Sequence, residues 1–166
     1  MKYINFYKSP FGEMYMLSDG KYLLYLGFKK NGFDNEYEEK ELEIFKKTRK
    51  WLDIYFKGIE PGFTPEYRLD GTSFRKEVWK YLEKIPYGKT VTYKWIADKI
   101  AAKRGIKKMS AQAVGNAVGH NPISIIVPCH RVVGSDGRLI GYAAGLDIKR
   151  EILKLEKKEY NNVRRL

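Results

Sequence analysis

One cysteine is present in this chain of 166 residues, and its surroundings restrict both the fold and the chemistry. Cys129 follows an apolar, β-branched run at 125–127 and Pro128, and His130 and Arg131 come directly after it. A lone thiol excludes an internal disulfide, so a buried apolar core has to stabilise the chain. The β-branched residues predict a buried strand or extended segment that ends at the stiff corner made by the proline.

Two interpretations of this cysteine are open at this point. A lone cysteine can be a small buried hydrophobe. Alternatively, the adjacent imidazole and guanidinium favour the thiolate, which is the nucleophilic form of the side chain. We favour a reactive thiol, because a strand, a proline and two basic side chains converge on Cys129.

Composition excludes several classes of protein. One cysteine and two histidines cannot form a zinc finger or a cysteine-rich zinc site, and we expect no metal and no cofactor. No apolar run of about 18 residues predicts a membrane span, and a lone cysteine fits a reducing compartment, so we expect a cytoplasmic protein without membrane contact. A formal net charge of +12 favours a polyanionic partner; a generally charged surface and a thermophile-like richness in Lys, Glu, Ile and Tyr are the alternatives.

The spacing of apolar residues predicts an α+β protein with two domains, residues 1–66 and 67–166. In the first domain, three short strands joined by turns form a small antiparallel sheet, and an amphipathic helix follows. These elements are predicted at residues 3–8, 13–18, 22–28 and 36–57. A linker with prolines and a glycine follows at 59–65.

The second domain reads as mostly helical. Its helices are predicted at residues 74–85, 93–102, 111–119 and 147–158. Thr92 and Ser110 are suitable N-caps for the second and third of them, and Trp95 should face inward. These two helices resemble a winged-helix-like helix-turn-helix with a long basic turn.

The third of these helices consists almost entirely of small residues, including Ala111, Ala113 and Gly115. Such a helix can approach a partner closely. Tight helix–helix packing explains the composition equally well as entry into a DNA groove. The preceding basic loop favours a partner lined with phosphates, bound with few base-specific contacts.

The chemistry of Cys129 has three candidates. A cysteine hydrolase would need a Cys–His pair and a second, hydrolytic step, and it leaves the charge and the helix-turn-helix unexplained. Redox chemistry lacks a resolving cysteine. Attack on a saturated carbon fits better, and the resulting thioether has no easy leaving path, which makes the protein single-use.

Several motifs occur in order between residues 72 and 156: Gly115, Asn121-Pro122, Pro128–Val132, Gly141-Tyr142 and Gly145 through Glu156. Together they resemble the O6-alkylguanine-DNA alkyltransferases. The resemblance implies DNA repair by direct damage reversal. O6-alkylguanine in double-stranded DNA would be flipped out of the helix, and its alkyl group transferred irreversibly to Cys129.

The resemblance also implies roles for individual residues. Cys129 accepts the alkyl group, His130 activates it through water, Glu156 orients and charges that imidazole, and Tyr93 donates a proton to the leaving guanine. The resemblance gives a hinge role to Asn121. Roles in the guanine pocket, some of them through backbone atoms, belong to Val132, Tyr142, Ala143 and Lys149. DNA contacts fall to Ser110, Ala111, Gln112, Ala113 and Gly115.

Two positions, Gln112 and Ala144, depart from the family, and the first bears on DNA binding. An arginine usually inserts into the DNA stack where this chain has Gln112, and an uncharged amide is a less effective stacking plane. We expect the protein still to flip the base out of the duplex, with weaker stabilisation of the gap that the base leaves. We also expect it to act as a monomer. The rival within this fold is a lesion-binding protein that transfers nothing; the presence of Cys129 argues against it.

Overall fold

The structure is a computed structural model, and it describes residues 2–30 and 36–157. The chain divides into two compact units. The first comprises residues 1–70 together with 122–126, and the second comprises residues 71–121 and 127–166. Residues 158–166, which include the end of the last predicted helix, lie outside the described part of the chain.

The first unit contains a four-stranded sheet and a helix. Strands β1 (Lys2–Ser9), β2 (Gly12–Ser18) and β3 (Leu23–Gly27) form the predicted antiparallel sheet of three short strands joined by turns. β4 (Tyr37–Glu39) adds to β1 in the parallel direction, giving the order β3-β2-β1-β4. The α+β class is confirmed.

The helix of this unit is shorter than predicted. α1 runs over Glu43–Tyr55 rather than from residue 36, because residues 37–39 pair with β1 and Leu42 is the extended N-cap. Phe45, Leu52 and Tyr55 are buried, so the apolar spacing identified the correct face.

The second unit contains the remaining helices and a small parallel sheet. Its helices are α2 (Ser73–Glu83), α3 (Tyr93–Arg104), α4 (Ala111–Gly119) and α5 (Leu146–Glu156). A two-stranded sheet pairs β5 (Val91–Thr92) with β6 (Val132–Val133). The predicted helix positions are confirmed to within a few residues.

Side-chain caps account for this accuracy. The hydroxyls of Thr72, Thr92 and Ser110 accept hydrogen bonds from backbone N–H groups three residues later, at the starts of α2, α3 and α4. α3 ends at Gly105, whose φ of 68° is left-handed. These signals are local, so the sequence alone contains them.

Two predictions are wrong. Trp95 is 43% exposed rather than facing inward, because α3 buries Ile96, Ala97 and Ile100 on the adjacent face. No strand leads into Cys129. Residues 124–126 form turns, with Ile125 at a φ of 71°; the side chains of Ile125 and Val127 are buried and that of Ile126 is half-buried.

The contrast between two tryptophans tests this arrangement. Trp79 is buried in α2, and its indole N–H donates to the Ala117 carbonyl of α4 at 2.8 Å. Trp79→Phe removes this donor and opens space in the core, so the free energy of unfolding should fall by about 2 kcal/mol or more. The matched control Trp95→Phe should change it by less than about 0.5 kcal/mol. Equal losses in urea unfolding of the two variants would contradict the assigned orientations.

Candidate active site

The candidate nucleophile lies at the start of a 3₁₀ helix, Cys129–Arg131, directly before β6. Pro128 is its N-cap, and the Cys129 N–H donates to the Val127 carbonyl at 2.8 Å. Cys129 exposes 7% of its surface. The Asn121 amide donates to the same Val127 carbonyl at 2.8 Å, so the end of α4 is joined to the segment that carries the thiol.

His130 and Arg131 both bind one buried carboxylate. His130 Nε2 lies 2.6 Å from Glu156 Oε2, and Arg131 donates from Nε to Oε1 at 2.8 Å and from Nη2 to Oε2 at 3.1 Å. The Glu156 side chain is 1% exposed. The backbone N–H of Gly88 also donates to Oε1, at 3.2 Å. The carboxylate therefore has at least four donors and connects His130, Arg131 and Gly88.

These neighbours determine the ionisation of both groups. Burial opposes ionisation of Glu156, but His130 and Arg131 outweigh it and hold the pKa of the carboxyl well below its ordinary value. Burial lowers the pKa of His130; Glu156 opposes this shift, and Arg131 and Lys149 add to it. A pKa below the ordinary value of 6.5 leaves the resting imidazole neutral at pH 7.

A neutral imidazole has one ring nitrogen that accepts a proton. Glu156 binds Nε2, so the carboxylate favours the tautomer with its proton on Nε2. His130 Nδ1 is buried and has no hydrogen-bond partner among the residues that the structure describes. Such an atom in the residue after the thiol suits a proton acceptor.

The thiol itself is protonated at rest. Burial raises the pKa of Cys129, and the Asn121 side chain, the Lys149 charge and the backbone N–H groups of Cys129 and His130 oppose that rise without cancelling it. Arg131 was expected to favour the thiolate. Its guanidinium instead binds Glu156 and donates to the Ile85 carbonyl at 2.7 Å, and Lys149 is the cation that acts on the thiol.

Lys149 is fully buried in α5 and binds backbone carbonyls. Its Nζ donates to the carbonyls of Val132, Ile140 and Gly141 at 2.7, 2.9 and 3.2 Å. Burial lowers its pKa to about 8, and negative charge on Cys129 opposes that shift. The lysine holds the segment after β6 against α5. The buried residues of α5 are Lys149, Ile152 and Leu153.

Tyr93 begins α3 beside this lysine. Its hydroxyl donates to the Ile140 carbonyl at 2.8 Å and accepts a longer hydrogen bond from Lys149 Nζ at 3.4 Å. Burial, with negative charge on Cys129 adding to it, raises the pKa of Tyr93 to about 12. The phenol is therefore protonated at neutral pH and can serve as a proton donor.

A cavity of about 510 Å³ opens beside Tyr93 along α4. An added Cβ on Gly115 would lie 3.7 Å from the Tyr93 ring, so the helix backbone approaches this ring closely. Ala111, Gln112 and Asn116 on α4 are exposed, while Val114, Ala117 and Val118 are buried. The cavity is lined by Tyr93, Lys94, Ala111, Gln112, Gly115, Asn116, Gly134, Ser135, Ile140 and Gly141.

Most of the predicted site residues thus converge. Cys129, His130, Glu156, Tyr93 and Lys149 share a connected set of hydrogen bonds and electrostatic interactions, which Asn121 and Val132 join. Three of the five predicted DNA-binding residues line the cavity, whereas Ser110 caps α4 and Ala113 is half-buried. Tyr142 is half-buried and Ala143 is exposed in the segment after Gly141.

Sequence reasoning missed the role of Arg131 and the contribution of Ile140. The position of Arg131 next to His130 was a signal that it belongs to the site. Its binding to Glu156, which His130 shares, is visible only in the folded chain. Among residues 2–30 and 36–157, no three His, Cys, Asp or Glu side chains are grouped as metal ligands. No helix in the same ranges is long and apolar enough to cross a membrane.

Comparison with known proteins places this site in a family. Residues 2–66 match the ribonuclease-like domain of 6-O-methylguanine DNA methyltransferase, and residues 73–158 match its DNA binding domain. A methylated-DNA–protein-cysteine methyltransferase of Methanosarcina barkeri is 43% identical over 165 residues, which cover 98% of this chain and 99% of the relative. One from Haemophilus influenzae is 38% identical over 162 residues, covering 95% and 88%.

Solved structures agree with the sequence comparison. The crystal structure of Mycobacterium tuberculosis OGT in complex with DNA superposes with a TM-score of 0.83 at 40% identity, covering 94% of this chain and 93% of that one. Both domains match in order along the whole chain, and the described fold agrees with that of OGT. The chain therefore belongs to the 6-O-methylguanine DNA methyltransferase family.

Proposed function

We propose that this protein repairs DNA by transferring the alkyl group of O6-alkylguanine to Cys129. The observation that carries the proposal is the pairing of a buried thiol with His130, whose Nε2 is bound to Glu156 and whose Nδ1 is buried and unpaired among the described residues. This arrangement can take the thiol proton when the nucleophile is needed. The family membership and the names of the relatives support the same reaction.

The proposed transfer is a single displacement at the alkyl carbon. A water molecule relays the Cys129 proton to His130 Nδ1, and Glu156 stabilises the imidazolium that forms. The sulfur forms a bond to the alkyl carbon as the bond from that carbon to O6 breaks, and the electron pair moves into the guanine ring. Tyr93, which is protonated at neutral pH, donates its proton to N3 of the leaving guanine.

Lys149 supports both charges that develop. Its cation opposes the burial penalty on the Cys129 thiolate and donates a hydrogen bond to Tyr93 as the phenol loses its proton. The product is a thioether without an internal leaving group, and the described chain offers no second thiol. Each molecule therefore acts once, and we propose that it acts as a monomer.

Access to the lesion requires the base to leave the duplex, which costs roughly a few kcal/mol. We propose that α4 enters a DNA groove with its exposed small residues and that the flipped base enters the cavity beside Tyr93. The distribution of net charge along the chain supports this placement of the DNA. Residues 1–70 hold 12 basic and 12 acidic residues, so residues 71–166 carry the whole net charge of +12.

Intact mass measurement tests the central claim. After incubation with duplex DNA that contains O6-methylguanine, the protein should gain one methyl group, and Cys129→Ser should gain none. A lesion-free duplex of the same sequence is the control for adventitious alkylation. An unchanged mass of folded wild-type protein that binds the duplex would favour the lesion-binding rival.

The pH dependence of single-turnover transfer tests the role of His130. The reaction needs a neutral imidazole, and the pKa of His130 lies below its ordinary value of 6.5. The rate constant at saturating protein should therefore stay level as the pH falls through 6.5 and decline only in more acid solution. The His120→Gln variant, which removes the exposed second histidine, should keep this profile. A decline centred at or above pH 6.5 would contradict the proposal.

Substitution of Gln112 tests how the gap in the duplex is stabilised. Gln112→Arg adds a charged, planar group on the exposed face of α4, so lesion-containing duplex should dissociate more slowly. The plot of the logarithm of the binding constant against the logarithm of the salt concentration should also become steeper, by about one unit of slope. Gln112→Lys is the matched control, since it adds the same charge without the stacking plane. Equal dissociation rates for the two variants would show that charge alone accounts for the gain.

A further inference from the structure

A row of lysines lies along α2, away from the active site. Lys76, Lys80 and Lys84 are exposed and spaced four residues apart, which places them on one side of the helix. The buried residues of α2 lie on the opposite side. They are Val78, Trp79 and Leu82.

These lysines line a cavity of about 440 Å³ together with Lys103, at the end of α3. We call the surface of these four residues the lysine groove. Its one acidic lining residue, Glu77, accepts a hydrogen bond from Arg104 at 2.5 Å. None of the four lysines forms an ion pair with any residue in the described part of the chain. Like charges four residues apart destabilise a helix, and a polyanion would relieve that repulsion.

The lysine groove is separate from the surface that receives the lesion. It shares no lining residue with the cavity along α4. On α3, Tyr93 and Lys94 line that cavity, whereas Lys103 belongs to the lysine groove. Duplex DNA is stiff over about 150 base pairs, so a duplex seated on α4 does not bend around to the far side of α2. An occupant of the lysine groove is therefore a second segment.

The aromatic residues beside the lysine groove favour a duplex over a single strand. Tyr81 lines the groove, and its ring contacts that of Trp95 edge to face at 6.4 Å. Lys84 lies over the Tyr81 ring at 5.8 Å and Lys99 lies over the Trp95 ring at 5.2 Å. Unpaired bases bind proteins by stacking on such faces, and here cations already cover them.

We propose that the lysine groove binds the phosphodiester backbone of a second DNA duplex, so that the protein passes directly from one segment to another during its search for lesions. The proposal rests on the DNA binding of the proposed function, and it adds a second site with a different occupant. Lysines without arginine, asparagine or glutamine at the groove fit backbone binding without sequence preference.

Competitor-dependent dissociation measures this transfer. The full chain, bound to a fluorescent lesion-free duplex, is mixed with increasing concentrations of unlabelled duplex. With one DNA site the dissociation rate is independent of competitor, whereas a second site makes the rate rise with competitor concentration. We expect a rise for the wild type and a loss of most of it in the K76Q/K80Q/K84Q variant. The log–log salt slope of the competitor-dependent term should also fall by about three.

A matched variant distinguishes the loss of the groove lysines from the loss of net charge. K46Q/K50Q/K57Q removes three lysines from α1 and the residues after it, and it should keep the wild-type competitor dependence. A wild-type rate that ignores competitor, equal losses in the two triple variants, or a single-stranded competitor more effective than duplex would each overturn the proposal. Thermal unfolding should show K76Q/K80Q/K84Q to be at least as stable as the wild type.

The same variants distinguish this proposal from the proposed function. Single-turnover methyl transfer by K76Q/K80Q/K84Q at saturating protein should equal that of the wild type, because no groove lysine contacts the reacting groups. If the wild-type protein transferred no methyl group, the proposed function would be contradicted, and the competitor measurement would still test the lysine groove. Slower transfer at saturation in this variant alone would place the lysines in the lesion site and contradict a separate groove.

Discussion

The buried carboxylate of Glu156 is the interaction on which the second unit depends. It joins α5 to the 3₁₀ helix through His130 and Arg131, and to the turn before β5 through the Gly88 N–H. A buried carboxylate is costly unless donors surround it, and removal of one partner from such a pair typically costs about 3–5 kcal/mol. Stability and chemistry are therefore coupled at this residue. The group that orients the imidazole also fastens the last helix to the segment that carries the thiol.

The same low-polarity surroundings keep the nucleophile inactive at rest. Burial raises the pKa of Cys129 and lowers that of His130, so the pair is a neutral thiol and a neutral imidazole rather than an ion pair. Lys149 contributes the opposing positive charge while its three carbonyl partners hold it in place. In the proposed reaction this arrangement suits a protein that reacts once, because the thiolate would form only when the proton can pass to the imidazole and an alkyl carbon is in reach.

Local signals made much of the fold predictable. Hydroxyl caps marked the starts of α3 and α4, and turns between short apolar runs marked the strands β1, β2 and β3 of the sheet. Predictions failed where a distant partner decides the outcome. Residues 37–39 form a strand because β1 offers them an edge. Trp95 is exposed because a neighbouring face of α3 is the one that packs, and the segment before Cys129 turns although its residues favour strands.

The sequence by itself determined that the chain has one thiol, one adjacent imidazole and a basic, mostly helical second domain, since these follow from residue identity and spacing, and it predicted that they carry the function. Motifs shared with a family extended this to Glu156, Tyr93 and Lys149. Only the tertiary structure decided how these groups are charged. The guanidinium of Arg131 binds the carboxylate instead of the thiol, and burial leaves the imidazole neutral. Ionisation depends on distances and solvent exclusion among residues far apart in the chain, and no local pattern encodes either of them.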